Sequence, residues 1–298
     1  MAGGTDGTLE KALSLQSSVR CLRVVEQLPR TQNAAILSGY KQIDPATEVI
    51  GILDADTLVA KNWLTEMVNC LRNGDYAAVQ AIYLPTNPSW LSHYYMFIQY
   101  KYLASNKPTL VGRGSVLLRR DVIEKVGPER AFDPNIKIGE DYFLRRLLQD
   151  AGEALGHCGQ ARVATWLPAS LATFVRLESM WVRSWTRLSR HTVRFAAHYL
   201  LDGARVGSLL LAVLALGAQK PVVAAVVGIP AALYLLELCF DILKVAVKGR
   251  HAELLGALPQ VIALNLVHLF VRFIAMNRVL AFDDPREVFQ QGERPASV

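Results

Sequence analysis

Cysteine is scarce in this 298-residue chain, which has only Cys21, Cys70, Cys158 and Cys239. No two of them form a CxxC pair, and this spacing argues against a zinc site or a disulfide framework. We therefore expect reduced thiols in a protein that faces the cytosol. A signal peptide is also missing from the start of the sequence, since Met1-Ala2-Gly3-Gly4 leads directly into the turn-forming Thr5-Asp6-Gly7.

A dense block of basic residues is absent too, although the formal net charge is +6. The Lys and Arg residues recur instead around the apolar C-terminal segments, which argues against nucleic acid and favours anionic lipid headgroups as the partner. Hydrophobic residues make up 52% of the chain, and the mean hydropathy is +0.22. These values are high for a soluble protein of this length, so we expect one large domain with a membrane anchor.

The central motif is the apolar run Val49–Leu53 followed by Asp54-Ala55-Asp56. This pattern predicts a buried strand that ends in two carboxylates. Alternate residues of an extended segment point the same way, so Asp54 and Asp56 can converge on a divalent cation, Mg²⁺ or Mn²⁺. The alternative is that Asp56 caps the next helix. Alternating strands and helices around the motif predict an α/β fold that binds ligands at the carboxyl ends of its strands, which favours the metal site.

The neighbouring segments supply that alternation. Helical spacing is present over residues 8–15, 33–41 and 62–74, and strand-like runs cover residues 22–25 and 76–84. The aromatic-rich segment 89–104 predicts a helix packed on the sheet, with a rim that meets the membrane or a greasy acceptor as the alternative. Gly112–Ser115 predicts a tight turn into a strand, followed by a short helix with Asp121 and Glu124 in capping-box spacing and Gly127 as its stop.

A second acidic cluster, Gly139-Glu140-Asp141, begins the predicted helix Tyr142–Ala151. Acidic residues are favoured in a first helical turn, so Glu140 and Asp141 can simply cap this helix. The functional alternative is a general base, since a carboxylate beside an acidic neighbour and a partly apolar wall can be tuned for that work. The residues alone leave both interpretations open.

The C-terminal third carries an amphipathic segment and then apolar runs. Arginines recur on one face of the segment Leu171–Phe195 and aromatic residues on another, which is typical of an interfacial helix. The apolar runs over residues 206–218, 221–243 and 254–276 predict two or three membrane spans. The loop between the last two is basic, and we place it in the cytosol. One of the three segments is expected to be re-entrant or interfacial.

Several motifs, taken in order, resemble family 2 glycosyltransferases, most closely the ceramide glucosyltransferase-like branch. The motifs are Thr5-Asp6-Gly7-Thr8-Leu9, Leu53-Asp54-Ala55-Asp56, Gly112-Arg113-Gly114-Ser115, Gly139-Glu140-Asp141-Tyr142-Phe143 and Trp181-Val182-Arg183-Ser184-Trp185-Thr186-Arg187-Leu188. The resemblance covers roughly residues 5 to 195. It implies a membrane-bound enzyme with a GT-A (Rossmann-like) domain, a cation held by Asp54 and Asp56 on the diphosphate of a nucleotide sugar, and Asp141 as general base.

The same resemblance implies a Gln/Arg-x-x-Arg-Trp motif that closes the site at the membrane surface. With Trp185 aligned, the family's arginine falls on Ser184 and Trp181 replaces the expected Gln or Arg, so we expect Arg183 to substitute. The nucleotide-sugar site then comprises Asp54, Asp56, Glu140, Arg183 and Trp185. The chain also begins where the family's first strand and its uracil-contacting aspartate would already have passed, so we expect the opening βα unit and an N-terminal membrane helix to be absent.

These inferences combine into one expected organisation. Residues 1–168 form an N-terminally incomplete GT-A domain, 169–198 an interfacial helix, 199–280 the membrane region and 281–298 a polar tail. The expected activity is inverting transfer of a hexose from a nucleotide sugar, with UDP as the expected nucleotide, to the hydroxyl of a lipid acceptor. The catalytic domain is expected to face the cytosol. The alternatives are a catalytically inactive membrane scaffold and a polysaccharide synthase.

Overall fold

A computed structural model describes residues 7–25, 31–104, 114–136, 138–248 and 253–282. Within these ranges the chain forms a five-stranded sheet with helices on both faces, followed by a group of long apolar helices. In chain order the elements are α1 (Thr8–Gln16), α2 (Gln32–Tyr40), β1 (Val49–Leu53), β2 (Leu58–Val59), α3 (Trp63–Asn73), β3 (Ala78–Pro85), α4 (Ser92–Leu103), β4 (Ser115–Arg119), α5 (Arg120–Val126), α6 (Pro128–Ala131), α7 (Glu140–Asp150), β5 (Leu155–Thr165), α8 (Leu171–Ser189), α9 (Val193–Gly217), α10 (Pro221–Val227), α11 (Ile229–Lys248), α12 (Glu253–Gly256) and α13 (Leu258–Phe282).

The sheet has the strand order β1-β4-β3-β5-β2 and is mixed. Strand β4 is antiparallel to both β1 and β3, whereas β3 and β5 are parallel. Consequently β1, β3 and β5 all run the same way, and their carboxyl ends lie at the same edge as the start of β4. This arrangement confirms the predicted α/β fold class and is consistent with a GT-A domain.

Both faces of the sheet are covered, because its central strands alternate apolar side chains between two layers. On one face Val79 and Leu117 pack with α3. On the other, Ala78 and Leu118 pack with α5, α6 and α7. The predicted helix over residues 89–104 is α4, whose Phe97 and Tyr100 are buried between the sheet and the C-terminal helices. The packed-helix interpretation of this aromatic segment is therefore confirmed.

Two local predictions are wrong. Residues 22–25 form no strand, since they pair with no described strand, and Arg23 instead donates to the Gln42 carbonyl at 3.0 Å. The capping box at Asp121 and Glu124 does not form. The helix α5 has Arg119 at its N-cap without a side-chain cap, because Asp121 pairs with Arg119 and Glu124 pairs with Arg120.

The segment predicted as one interfacial helix over residues 169–198 is two helices. The side chain of Ser170 caps the start of α8, and that of Thr192 caps the start of α9. Each cap satisfies a backbone N–H that begins a new helix, so the chain turns between residues 189 and 193. The helix α8 packs along α13 and contributes Phe174 to a cluster with Tyr94 and Leu264.

Two helices, Val193–Gly217 and Leu258–Ala281, are long and apolar enough to cross a membrane. The predicted run 221–243 is broken, since α10 and α11 are bent by 58° to each other and count as a third span only if taken together. Pro230 explains the break, because its ring would clash with the carbonyl four residues earlier in a continuous helix. The predicted polar tail lies beyond the described residues, which end at Phe282.

Two ion pairs join charged residues of different C-terminal helices. The buried Asp202 of α9 contacts Arg272 of α13 at 2.5 Å. Arg205 of α9 contacts Glu237 of α11 at 2.7 Å. An ion pair lowers the cost of placing a charge in a low-dielectric environment. The part of α9 that is compatible with a membrane can therefore begin before Asp202 and Arg205.

Candidate active site

The first part of the site is the turn that follows β1. The backbone N–H of Asp54 donates to the Gly114 carbonyl at 3.0 Å, and the N–H of Thr57 donates to the Asp54 carbonyl at 3.1 Å. Asp54 and Asp56 thus lie in a hydrogen-bonded turn rather than in the extended segment that their spacing indicated. Asp54 is half-buried, whereas Asp56 is exposed.

The interpretation of Asp56 as a helix cap is wrong. The element after Asp56 is the short strand β2, and α3 begins only at Trp63, with Asn62 at its N-cap. The hydroxyl of Thr57 donates to Asp56 Oδ1 at 3.4 Å. The exposed carboxylate of Asp56 therefore does not cap a helix, and a ligand can reach it.

The second part of the site is the start of α7. Gly139 is the N-cap of this helix and has the left-handed conformation, with φ of 82°. Glu140 and Asp141 occupy the first turn, and Asp141 Oδ1 accepts a hydrogen bond from the Tyr142 N–H at 2.7 Å. Asp141 is half-buried, so its carboxylate retains partial access to solvent.

Helix α8 packs directly against this start. A Cβ atom on Gly139 would lie 2.1 Å from Ser184 Oγ and 3.1 Å from Leu188 Cδ1. The buried hydroxyl of Ser184, a position at which the resemblance led us to expect an arginine, has no hydrogen-bond partner in the described structure. Position 184 therefore faces the N-cap of the helix that begins with Glu140 and Asp141, and a side chain at position 139 would collide with Ser184.

Tyr83, near the end of β3, lies close to the first acidic cluster. Burial raises the pKa of Tyr83, and the negative charges of Asp54 and, more weakly, Asp141 raise it further. Tyr83 and Asp54 are neighbours in space, since a Cβ atom at Gly114 would lie 3.1 Å from the Tyr83 hydroxyl and 2.8 Å from Asp54 Oδ2. Tyr83 was not predicted from the sequence, although it lies two residues before the end of β3, and ligands of α/β folds bind at the carboxyl ends of strands.

The first residues of helix α2 contact both the turn after β1 and the segment that precedes α7. Gln32 Nε2 donates to Asp54 Oδ1 at 2.9 Å. The next residue, Asn33, is fully buried and donates to the Asp133 carbonyl at 2.7 Å. One turn of helix therefore ties the end of β1 to the loop that leads to Gly139. The sequence offered no signal for this contact, since the two partners are far apart along the chain.

The predicted binding residues of α8 have different environments. Arg183 is half-buried, and its Nε donates to the Ser179 carbonyl at 3.3 Å. Trp185 packs on Phe195 and His198 in the cluster between α8, α9 and α13. The structure therefore places Asp54 directly after β1, Asp141 in the first turn of α7 and Trp185 among the C-terminal helices, so the role of Trp185 in nucleotide-sugar binding stays a prediction.

The donor set at Asp54 and Asp56 fits a hard divalent cation that shares its coordination with a substrate. Within the ranges that the structure describes, no group of three or more His, Cys, Asp or Glu side chains is placed to hold a metal. Two carboxylates alone cannot form a closed cage. Mg²⁺ and Mn²⁺ are commonly bound in this way, by one or two carboxylates with substrate phosphates and water completing the shell.

Comparison with known families places this site in context. Residues 49–239, more than half of the chain, match glycosyl transferase family group 2. The chain belongs to this family. A search of curated proteins returned no match. The matched range includes both acidic clusters and extends into the C-terminal helices, and the family supports glycosyl transfer as the general reaction.

Proposed function

We propose that the protein is a membrane-bound inverting glycosyltransferase that moves a hexose from a nucleotide sugar, with UDP as the expected nucleotide, to the hydroxyl of a lipid acceptor. The observation that carries this proposal is the family match over residues 49–239, which spans both acidic clusters, with Asp54 directly after β1 and Asp141 in the first turn of α7. Two acidic clusters in one such domain suit two tasks, leaving-group stabilisation and general-base catalysis.

In the proposed reaction Asp141 accepts the proton of the acceptor hydroxyl as its oxygen attacks the anomeric carbon. The new C–O bond forms as the bond from that carbon to the diphosphate breaks, and the nucleoside diphosphate departs. A divalent cation held by Asp54 and Asp56 would supply positive charge to the departing diphosphate. General-base catalysis typically contributes a factor of about 10²–10⁴ to the rate.

In this scheme, helix α8 supplies positively charged side chains and covers one side of the site. Its packing on Gly139 places Arg183 one residue from the contact point. Glu140 shares the first turn of α7 with Asp141 and is proposed to contact the nucleotide sugar. Arg183 or Arg187 would stabilise the leaving diphosphate, since the planar guanidinium suits phosphate oxygens.

A lipid acceptor is supported by the way the catalytic domain meets the apolar helices. The sheet residue Ile82 and the α4 residue Phe97 share one hydrophobic cluster with Ile242 and Val261 of α11 and α13. A hydroxyl presented at a membrane surface would then lie beside the site. We place the catalytic domain in the cytosol, because the basic residues flank the apolar segments on that side, and we propose a ceramide-like or related lipid as acceptor.

Nucleotide-sugar binding separates this proposal from the scaffold alternative. Purified protein in lipid nanodiscs should bind UDP-sugars in the presence of Mn²⁺ or Mg²⁺, and EDTA should abolish that binding. With a lipid acceptor, release of UDP should match glycolipid formed. Binding that is insensitive to EDTA would contradict the proposed role of the cation. A protein with no affinity for any nucleotide sugar would favour the inactive scaffold. Long polymeric products would indicate a polysaccharide synthase instead.

A further inference from the structure

We propose that Tyr83 is a positioning residue for Asp54, in which the Tyr83 hydroxyl donates a hydrogen bond to Asp54 Oδ2 when that carboxylate engages a cation. This inference rests on the proposed function, because it assigns a supporting group to the cation site. Carboxylates that ligate metals are themselves hydrogen-bonded, and these supporting contacts orient them.

The geometry around Gly114 carries the inference. A Cβ atom at Gly114 would lie 2.8 Å from Asp54 Oδ2 and 3.1 Å from the Tyr83 hydroxyl. Both oxygen atoms therefore crowd the same small space above a residue without a side chain. The Tyr83 hydroxyl is buried and makes no well-formed hydrogen bond within the described ranges, although the Ser115 backbone and the Gln80 side chain lie near it and favour its oxygen as an acceptor. The hydroxyl proton therefore lacks an acceptor, which is costly in a buried group, and Asp54 Oδ2 is an anionic acceptor close by.

The two oxygens of Asp54 have different neighbours. Gln32 already donates to Oδ1 at 2.9 Å, whereas Oδ2 is the oxygen that lies over Gly114. Rotation of the carboxylate toward a cation would bring Oδ2 within hydrogen-bonding distance of the Tyr83 hydroxyl. Gln32 and Tyr83 would then donate to different oxygens of the carboxylate and orient it toward the cation.

The backbone of Tyr83 is fixed independently of Asp54. Gln99 Oε1 accepts from the Tyr83 N–H at 2.7 Å, and Gln99 Nε2 donates to the Tyr83 carbonyl at 3.1 Å. Gln99 is buried on α4. It replaces a neighbouring strand at a point where the described pairing of β3 with β4, over Ala78–Gln80, has ended. The backbone that carries the phenol is therefore anchored by Gln99 and does not depend on Asp54.

The test compares Tyr83→Phe with Tyr40→Phe in the full chain. Each removes one tyrosine hydroxyl, but Tyr40 hydrogen-bonds Glu124 on the other face of the sheet. Affinity for Mn²⁺ in the presence of UDP is measured by electron paramagnetic resonance, together with the unfolding temperature. We expect Tyr83→Phe to weaken Mn²⁺ binding by about 10- to 100-fold without loss of stability, and Tyr40→Phe to leave Mn²⁺ binding unchanged.

Gly114→Ala is the second variant, and it can still overturn the inference if Tyr83→Phe does not fold. Its methyl group would separate the two oxygens, so it should weaken Mn²⁺ binding as Tyr83→Phe does. Unchanged Mn²⁺ affinity in whichever of these variants folds would overturn the inference and leave the proposed function intact. Failure of the unmodified protein to bind Mn²⁺ with UDP would overturn both the inference and the proposed cation role.

Discussion

The contact between Gly139 and α8 predicts a large effect from one methyl group. Gly139→Ala forces alanine into the left-handed region, which costs about 1–2 kcal/mol. It also places a carbon 2.1 Å from Ser184 Oγ, and such overpacking costs about 1–3 kcal/mol. We therefore expect a total loss of about 2–5 kcal/mol of stability. Because the displaced residues begin the turn that carries Asp141, turnover should fall about 10²-fold, as expected for a shift near 1 Å.

Gly152→Ala is the matched control at the other end of the same helix. Gly152 also has a positive φ, of 79°, but a Cβ there meets nothing within 4 Å. This variant should show only the backbone penalty, about 1–2 kcal/mol, and normal turnover. Both effects are measured by unfolding in detergent and by a glycosyl-transfer assay.

A rescue variant isolates the collision itself. Ser184→Ala removes an oxygen that has no partner in the described structure, so alone it should be nearly neutral for stability. Combined with Gly139→Ala it should recover part of both the stability and the turnover. Equal behaviour of Gly139→Ala and Gly152→Ala, or no rescue by Ser184→Ala, would refute the claim that α8 fixes the start of α7.

Three further predictions concern the C-terminal helices. Burial raises the pKa of Glu178 from 4.5 to about 7. The folded state therefore favours the protonated carboxyl, and the stability that Glu178 contributes at low pH should be lost as the pH rises through this range. Glu178→Gln should reduce the change of unfolding free energy with pH, measured by unfolding at several pH values. Arg272→Met leaves the buried Asp202 without its 2.5 Å partner and should cost about 3–5 kcal/mol; Asp202→Asn in the same chain should recover most of this loss, and additive losses would contradict the pairing. The protein should resist alkaline carbonate extraction, and recovery in the soluble fraction would contradict membrane anchoring.

Most elements of the catalytic domain were predictable because their signals are local. The apolar run before Asp54, the helical spacing after Asn62 and the stop at Gly127 each depend on a few neighbouring residues, and each has its counterpart in the structure. The run over residues 22–25 carried a similar signal but found no partner strand. Strand formation depends on pairing, which a short window cannot reveal.

The candidate site was predictable only in its acidic residues. Carboxylates after a strand or at a helix start carry a chemical signal, so Asp54, Asp56 and Asp141 stood out. Tyr83 and Gln32 did not, since their importance comes from long-range packing against Gly114 and Asp54. The proline-induced break between α10 and α11 was likewise hidden by hydropathy, which averages over Pro230 in an apolar run.

The two acidic clusters divide the labour of the proposed reaction, and measuring donor affinity and turnover separately tests this division. Asp56→Asn should weaken Mn²⁺-dependent binding of the nucleotide sugar and also turnover, because a neutral amide is a poorer ligand for a hard cation. Asp141→Asn should preserve donor binding while turnover falls by about 10²–10⁴, since the amide cannot accept the acceptor's proton. Asparagine serves the start of a helix about as well as aspartate, so unchanged turnover in Asp141→Asn would contradict its assignment as the general base.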